Sequence, residues 1–167
     1  WKPEKSVYRN DIVDYLDEID IEILRSWQPV NEIFAKAKDL FMFQCYTGFA
    51  FADMQNFDIA QYKEINGRWI ARKTRIKTGV PFVNVLLSPA VEILKRYDWK
   101  IPKVSISWYD IQLARMGKLI GLDIRLRSHV ARHTFATMML RNGVKIENLA
   151  RMLGHTNITQ TQRYAKV

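Results

Sequence analysis

A single cysteine, Cys45, denies this chain any internal disulfide. That excludes the bridge-stapled folds of small secreted proteins. No apolar run approaches the roughly 20 residues that cross a bilayer, and no leader segment stands out, so the sequence reads as a cytoplasmic domain that engages no membrane. Seven glycines and five prolines are scattered over 167 residues. Neither a Gly-rich phosphate loop nor a low-complexity linker can be built from them, and no internal repeat is visible. Acidic residues are also scarce, 17 against 26 lysines and arginines for a net charge of +9. A metal centre built from clustered carboxylates is therefore not expected. So basic a domain calls for a polyanionic partner, and its binding should weaken steeply as salt competes for the phosphates.

What is present is enough for a packed domain. With 48% hydrophobic residues, residues 1–167 read as a single domain with a sizeable core and no internal boundary. Cys45 lies in the apolar run Leu40 to Tyr46 and reads as a buried thiol in a reducing compartment. The pattern predicts an α+β, mainly α fold with one small antiparallel sheet. Ile19, Ile23, Leu24 and Trp27 mark an amphipathic helix stopped by Pro29. Val30, Ile33, Phe34, Ala37, Leu40 and Phe41 mark a second, ended by Gly48, with a short helix at 51–54. Residues 69–87 are β-rich around the turn signal Lys77-Thr78-Gly79 and predict two or three strands. Further helices are predicted after Ser88-Pro89, from a Ser107 cap to about Ile120, from a Ser128 cap to Asn142-Gly143, and through Ile146, Leu149 and Met152 to Gly154. Trp69, Trp99 and Trp108 read as core rather than as base-stacking platforms.

The chemistry is concentrated near the end of the chain. Residues three and four apart share one helix face, so His129, Arg132 and His133 project together as a cation cluster. Arginine offers a planar fork to two phosphate oxygens, and histidine donates to a third or carries a proton. Leu153-Gly154-His155 follows, and Tyr164 stands nine positions beyond that histidine. Tyrosine, with an ordinary pKa near 10, needs positive charge and a base nearby before it attacks phosphorus. Two other readings compete. Helix, Asn-Gly turn and helix over 129–153 is the outline of a helix-turn-helix regulator, which has no use for Tyr164. Three histidines could instead hold a metal, although the zinc-protease pattern requires glutamate where Val130 stands.

The string Arg132 to Thr137, Leu153-Gly154-His155 and Tyr164 together resemble the tyrosine recombinases, or phage-type integrases, most nearly those of bacterial mobile elements. The resemblance begins near Tyr15 to Glu18 and is clear from Tyr46-Thr47-Gly48 onward. It implies a helical catalytic domain for DNA integration and excision by strand cleavage and rejoining. Tyr164 would attack the scissile phosphate to leave a 3′-phosphotyrosine and a free 5′-hydroxyl, with neither metal nor nucleotide cofactor. Arg132, His129 and His155 would hold and stabilise the phosphate, and Lys77 would protonate the 5′-oxygen, although Lys73 also precedes a threonine. Arg72, Lys73 and Arg75 are the accompanying candidates for contact with double-stranded DNA. Strand exchange in the family uses four protomers on two duplexes. With Trp1 at its start and only three residues after Tyr164, the chain reads as a fragment lacking the family's N-terminal DNA-clamping domain and C-terminal tail. A catalytically lapsed DNA-binding protein is the alternative.

One position departs from the family pattern. The first catalytic arginine is expected three residues after Thr47, and Ala50 stands there. Loss of an arginine fork should cost on the order of a few kcal/mol of transition-state stabilisation unless something replaces it. Three explanations compete: another basic residue, Arg68, Arg72 or Arg75, fills the gap, the subgroup works with a reduced set, or the chain is impaired. Asp53 occupies the family's acidic position, as the orienter of a catalytic partner or as a helix cap.

Overall fold

The computed structural model describes residues 13–165, so the expectations attached to Trp1 and to the last two residues lie outside it. Eight helices and a three-stranded sheet follow in the order α1 (Glu18–Ser26), α2 (Glu32–Thr47), α3 (Phe51–Gln55), β1 (Lys63–Ile65), β2 (Arg68–Thr74), β3 (Pro81–Leu86), α4 (Ser88–Arg96), α5 (Ile106–Ile120), α6 (Ser128–Arg141), α7 (Ile146–Leu153) and α8 (Thr159–Ala165). The α+β, mainly helical expectation holds.

Helix α2 is the axle of the domain. Asn31 caps it by accepting from the Phe34 N–H, and Ala37 and Leu40 through Cys45 are all buried. It ends at Gly48 with φ +73°, where a Cβ would stand 2.4 Å from the Phe135 ring. Glycine is thus required twice over, by the left-handed backbone and by the close approach of α6. Helices α4, α5 and α6 pack around α2, and the antiparallel sheet, ordered β1-β2-β3, closes one side. Trp69 packs on Trp99 with ring centroids 5.4 Å apart, a core role as expected. A second, smaller core joins Phe135, Ala136, Leu149, Leu153 and Tyr164 among α6, α7 and α8.

Several local expectations need correction. Ile19, Ile23, Val30 and Ile33 are exposed, and only Leu24 of α1 is fully buried. Ile19 and Ile23 lie on an outward face of α1, Val30 precedes α2, and Ile33 is in its first turn. The cap of α5 is Ser105, which accepts from the Trp108 N–H, rather than Ser107. Helix α4 begins at Ser88, with Pro89 as its second residue, rather than after Ser88-Pro89. Ser128 is the first residue of α6, not its cap, and its side chain is drawn into the core. There the Gln44 amide donates to the Phe49 carbonyl and to Ser128 Oγ, and the Tyr109 hydroxyl donates to Gln44 Oε1 at 2.7 Å. Asp110 accepts from the Ser128 N–H, so α5 caps α6 from outside the helix. A fully partnered buried network of this kind fixes α6 in position against α2 and α5.

Candidate active site

The start of α6, the end of α7, helix α8 and the β2–β3 turn enclose an open cleft of about 500 Å³. His129, Arg132, His133, His155, Tyr164 and Lys77 all line it, joined by Arg75, Arg163 and Ala50. The five side chains foreseen as catalytic, drawn from four separate elements, are therefore brought to one place. The foreseen DNA contacts are divided. Arg75 enters the cleft, whereas Arg72 and Lys73 line another cavity with Gln61 and Asn56.

Arg132 is the best-anchored charge. One η-nitrogen donates to the Gly48 carbonyl at 2.8 Å and the other to the Leu153 carbonyl. These carbonyls belong to the ends of α2 and α7, where helix geometry leaves them without internal partners. The guanidinium thus ties three helices together while its remaining N–H groups stay available. Burial, with Arg75 nearby, lowers its pKa to about 10, so it stays cationic at neutral pH.

The histidines behave otherwise. Burial lowers the pKa of His133 and of His155 to about 4, the arginines adding repulsion, and His129 moves in the same direction. At neutral pH the empty cleft therefore holds neutral imidazoles, and the expected cation cluster is a cluster of arginines with histidines among them. His133 Nδ1 lies 3.1 Å from the Asp14 carbonyl, which can only accept, so Nδ1 carries the proton. Nε2 is left to accept from Arg163 at 3.3 Å. His155 Nδ1 lies 2.7 Å from Thr161 Oγ1, leaving Nε2 for a ligand. His129 stacks beside His133 with centroids 5.3 Å apart. Among the described residues no three metal-ligating side chains converge.

Tyr164 is 2% exposed, its ring part of the second core and 5.5 Å from that of His133. Its hydroxyl accepts from Arg163 Nη2 at 3.3 Å, and the same guanidinium lies over the ring. Helix α8, which holds this arrangement, was not foreseen in the sequence. Asn157, accepting from the Thr159 N–H, was the available signal.

The hairpin separates the two candidate lysines. Lys73 donates to Gln61 Oε1 at 2.6 Å and lies over the rings of Phe49 and Tyr62. Lys77 is exposed on the turn and faces the cleft. Asp53 caps no helix, because Ala50 holds the cap position of α3 without a side-chain bond. Its carboxylate turns to the hairpin instead, accepting from the Ile76 N–H and lying 3.8 Å from Arg75 Nε.

Comparison with known proteins agrees with this geometry. The family described as the phage integrase family matches residues 14–167. The chain belongs to that family. Tyrosine recombinase XerA of Thermococcus onnurineus is 47% identical over 73 residues, which cover 44% of this chain and 24% of the relative. The crystal structure of XerA recombinase superimposes with a TM-score of 0.69 at 25% identity, over 93% of this chain and 61% of that one. XerH bound to its difH substrate matches in fold with a TM-score of 0.73 at 17% identity, over 92% of this chain and 50% of that one. The matched stretches cover 24% to 61% of these relatives, less than two thirds of each. As a phage integrase family domain it has the family's fold, and Ala50 lines its cleft. Among the described residues no helix is long and apolar enough to cross a membrane.

Proposed function

We propose that this chain is the strand-cleaving and rejoining domain of a tyrosine-type site-specific DNA recombinase. The observation that carries the reading is the convergence of Tyr164, Arg132, His129, His155 and Lys77 on one cleft. Tyr164 Oη attacks the scissile phosphorus, the bond to the 5′-oxygen breaks, and a 3′-phosphotyrosine remains. A neutral imidazole, His129 or His155, accepts the phenolic proton, and its lowered pKa rises once the negative charge of the phosphate is beside it, so that the imidazolium then donates to the phosphate. Arg132 neutralises non-bridging oxygens, with His129 and His155 donating at its flanks. Lys77 gives its proton to the departing 5′-oxygen. Attack by the 5′-hydroxyl of another strand reverses the sequence, and because the bond energy is kept in the protein link, the chemistry calls for neither metal nor nucleotide.

Double-stranded DNA is the partner, and the exposed Arg72 of β2 is a candidate contact for its backbone. XerH, of which this chain covers 50%, is a recombinase seen on its difH substrate. The proposal extends to residues 1–167 acting as one catalytic domain within a longer recombinase that clamps DNA through a further domain, works as a tetramer on two duplexes, and does so in the cytoplasm.

The test is covalent capture. Nicked duplexes carrying the sequences that flank the encoding gene, or drawn from a randomised pool, are incubated with the full-length protein in EDTA and then denatured. A protein–DNA adduct lost in Tyr164→Phe is expected. Salt-sensitive binding without any adduct would instead mark a lapsed DNA-binding relative.

A further inference from the structure

Arg75 and Arg163 are the arginines of the cleft to which the reaction above gives no role, and Arg163 is already engaged with Tyr164 Oη and His133 Nε2. Arg75 follows β2 at the start of the hairpin turn, its N–H donating to the Val80 carbonyl and its carbonyl accepting from Gly79. The stem passes over Gly154, where a Cβ would stand 2.7 Å from Arg75 Cδ. The side chain is 13% exposed, and Nε has no hydrogen-bond partner among the described residues. Asp53 Oδ2, at 3.8 Å, is beyond hydrogen-bond reach. A buried N–H left without an acceptor is costly, so the site is built for an acceptor that arrives from outside. Arg75 also shares the cleft with Arg132, and its charge is one of the causes, after burial, that lower the pKa of Arg132.

Ala50 lines the same cleft, its methyl group leaving open the space that an arginine would fill. Of the three candidates for replacing it, Arg68 is exposed at the far end of β2, paired with Ile65, and Arg72 lines the other cavity. We propose that Arg75 is the second arginine of the phosphate clamp, reaching the scissile phosphate from the β2–β3 hairpin in place of the side chain that Ala50 lacks. Asp53 is its positioning residue. The assignment rests on the strand-transfer reading above.

The experiment measures single-turnover adduct formation by the full-length protein on the captured nicked duplex, with an ordinary phosphate or a methylphosphonate at the scissile position. Wild type, Arg75→Ala, Arg75→Lys and Tyr164→Phe are compared. A methylphosphonate lacks the non-bridging charge that a clamping arginine neutralises. Arg75→Ala should slow the ordinary substrate by about 10²- to 10³-fold, and the deficit should shrink to about tenfold or less on the methylphosphonate. A rate within about threefold of wild type, or the same deficit on both substrates, would overturn the assignment while leaving strand transfer intact. Absence of an adduct from wild type overturns strand transfer itself, and is distinguished by wild type then matching Tyr164→Phe. Should Arg75→Ala fail to fold, Arg75→Lys, which keeps the stem over Gly154 but not the fork, carries the same two-substrate comparison.

Discussion

Arg132 and Arg75 face one cleft from opposite walls and are held by different means. Arg132 rises from α6, whose first residue is bound to α2 and α5 through Gln44 and Asp110, and its own fork is fixed on two backbone carbonyls. Arg75 stands on a turn, steadied by one distant carboxylate and by the shape of Gly154. The helical wall is set before any DNA arrives, so its donors need little reorganisation during the reaction. The hairpin wall carries charge on a segment that can adjust to the duplex, at the cost of a looser starting geometry. On the proposed assignment, the place that Ala50 leaves open is served from the hairpin wall by Arg75.

Arg132→Ala strikes the fixed wall and should have the largest effect. Adduct formation is expected to fall by about 10³-fold or more, and loss of two charge-assisted hydrogen bonds should lower stability by about 2–4 kcal/mol in chemical denaturation. Lys77→Ala strikes the hairpin wall alone. Cleavage should slow by about 10²-fold with no change in melting temperature, because the side chain is exposed, and a 5′-thio leaving group that needs no proton should restore the rate. If the thio substrate gives no rescue, the leaving-group acid lies elsewhere. Gly154→Ala tests the seam between the walls. Strain at φ +67° and displacement of Arg75 should reduce stability by about 1–2 kcal/mol and cleavage by about tenfold, whereas a variant with unaltered cleavage would show that the stem of Arg75 needs no such support.

The smallest effect concerns acid. His133 and His155 titrate near about 4 when folded, against an ordinary value of 6.5. Between those values the unfolded chain binds more protons than the folded one, so stability must fall as pH drops from about 7 towards 4. Calorimetry should show a melting temperature roughly 3–8 °C lower at pH 5 than at pH 7, a gap narrowed by inorganic phosphate, whose charge favours the imidazolium form. Melting that is flat across this range would mean that the histidines are not shielded from water.

The helical wall was largely legible in the sequence, because helix periodicity fixes which residues share a face. His129, Arg132 and His133 needed only their spacing, and Gly48 and Gly154 announced two helix ends. The hairpin wall was half legible: Lys77 was identified from its likeness to the family's hairpin lysine, but the side to which Arg75 points depends on where the strand yields to the turn. Gln44 was invisible for a different reason. Its partners Tyr109 and Ser128 lie 65 and 84 positions away, and no local pattern records such distances. Ser105 and Ser107 differ by two positions and share the same chemistry, so composition could not choose between them. Helix α8, seven residues rich in threonine and glutamine, has too little intrinsic helix preference to stand out and is held by its packing on α6 and α7.

The burial of Tyr164 has a consequence for selectivity towards small reagents. A phenol that is 2% exposed and overlain by a guanidinium is closed to acylating and iodinating compounds that label surface tyrosines. Only a group slender and anionic enough to enter among the arginines reaches its oxygen, so the fold itself screens which electrophiles the nucleophile ever meets.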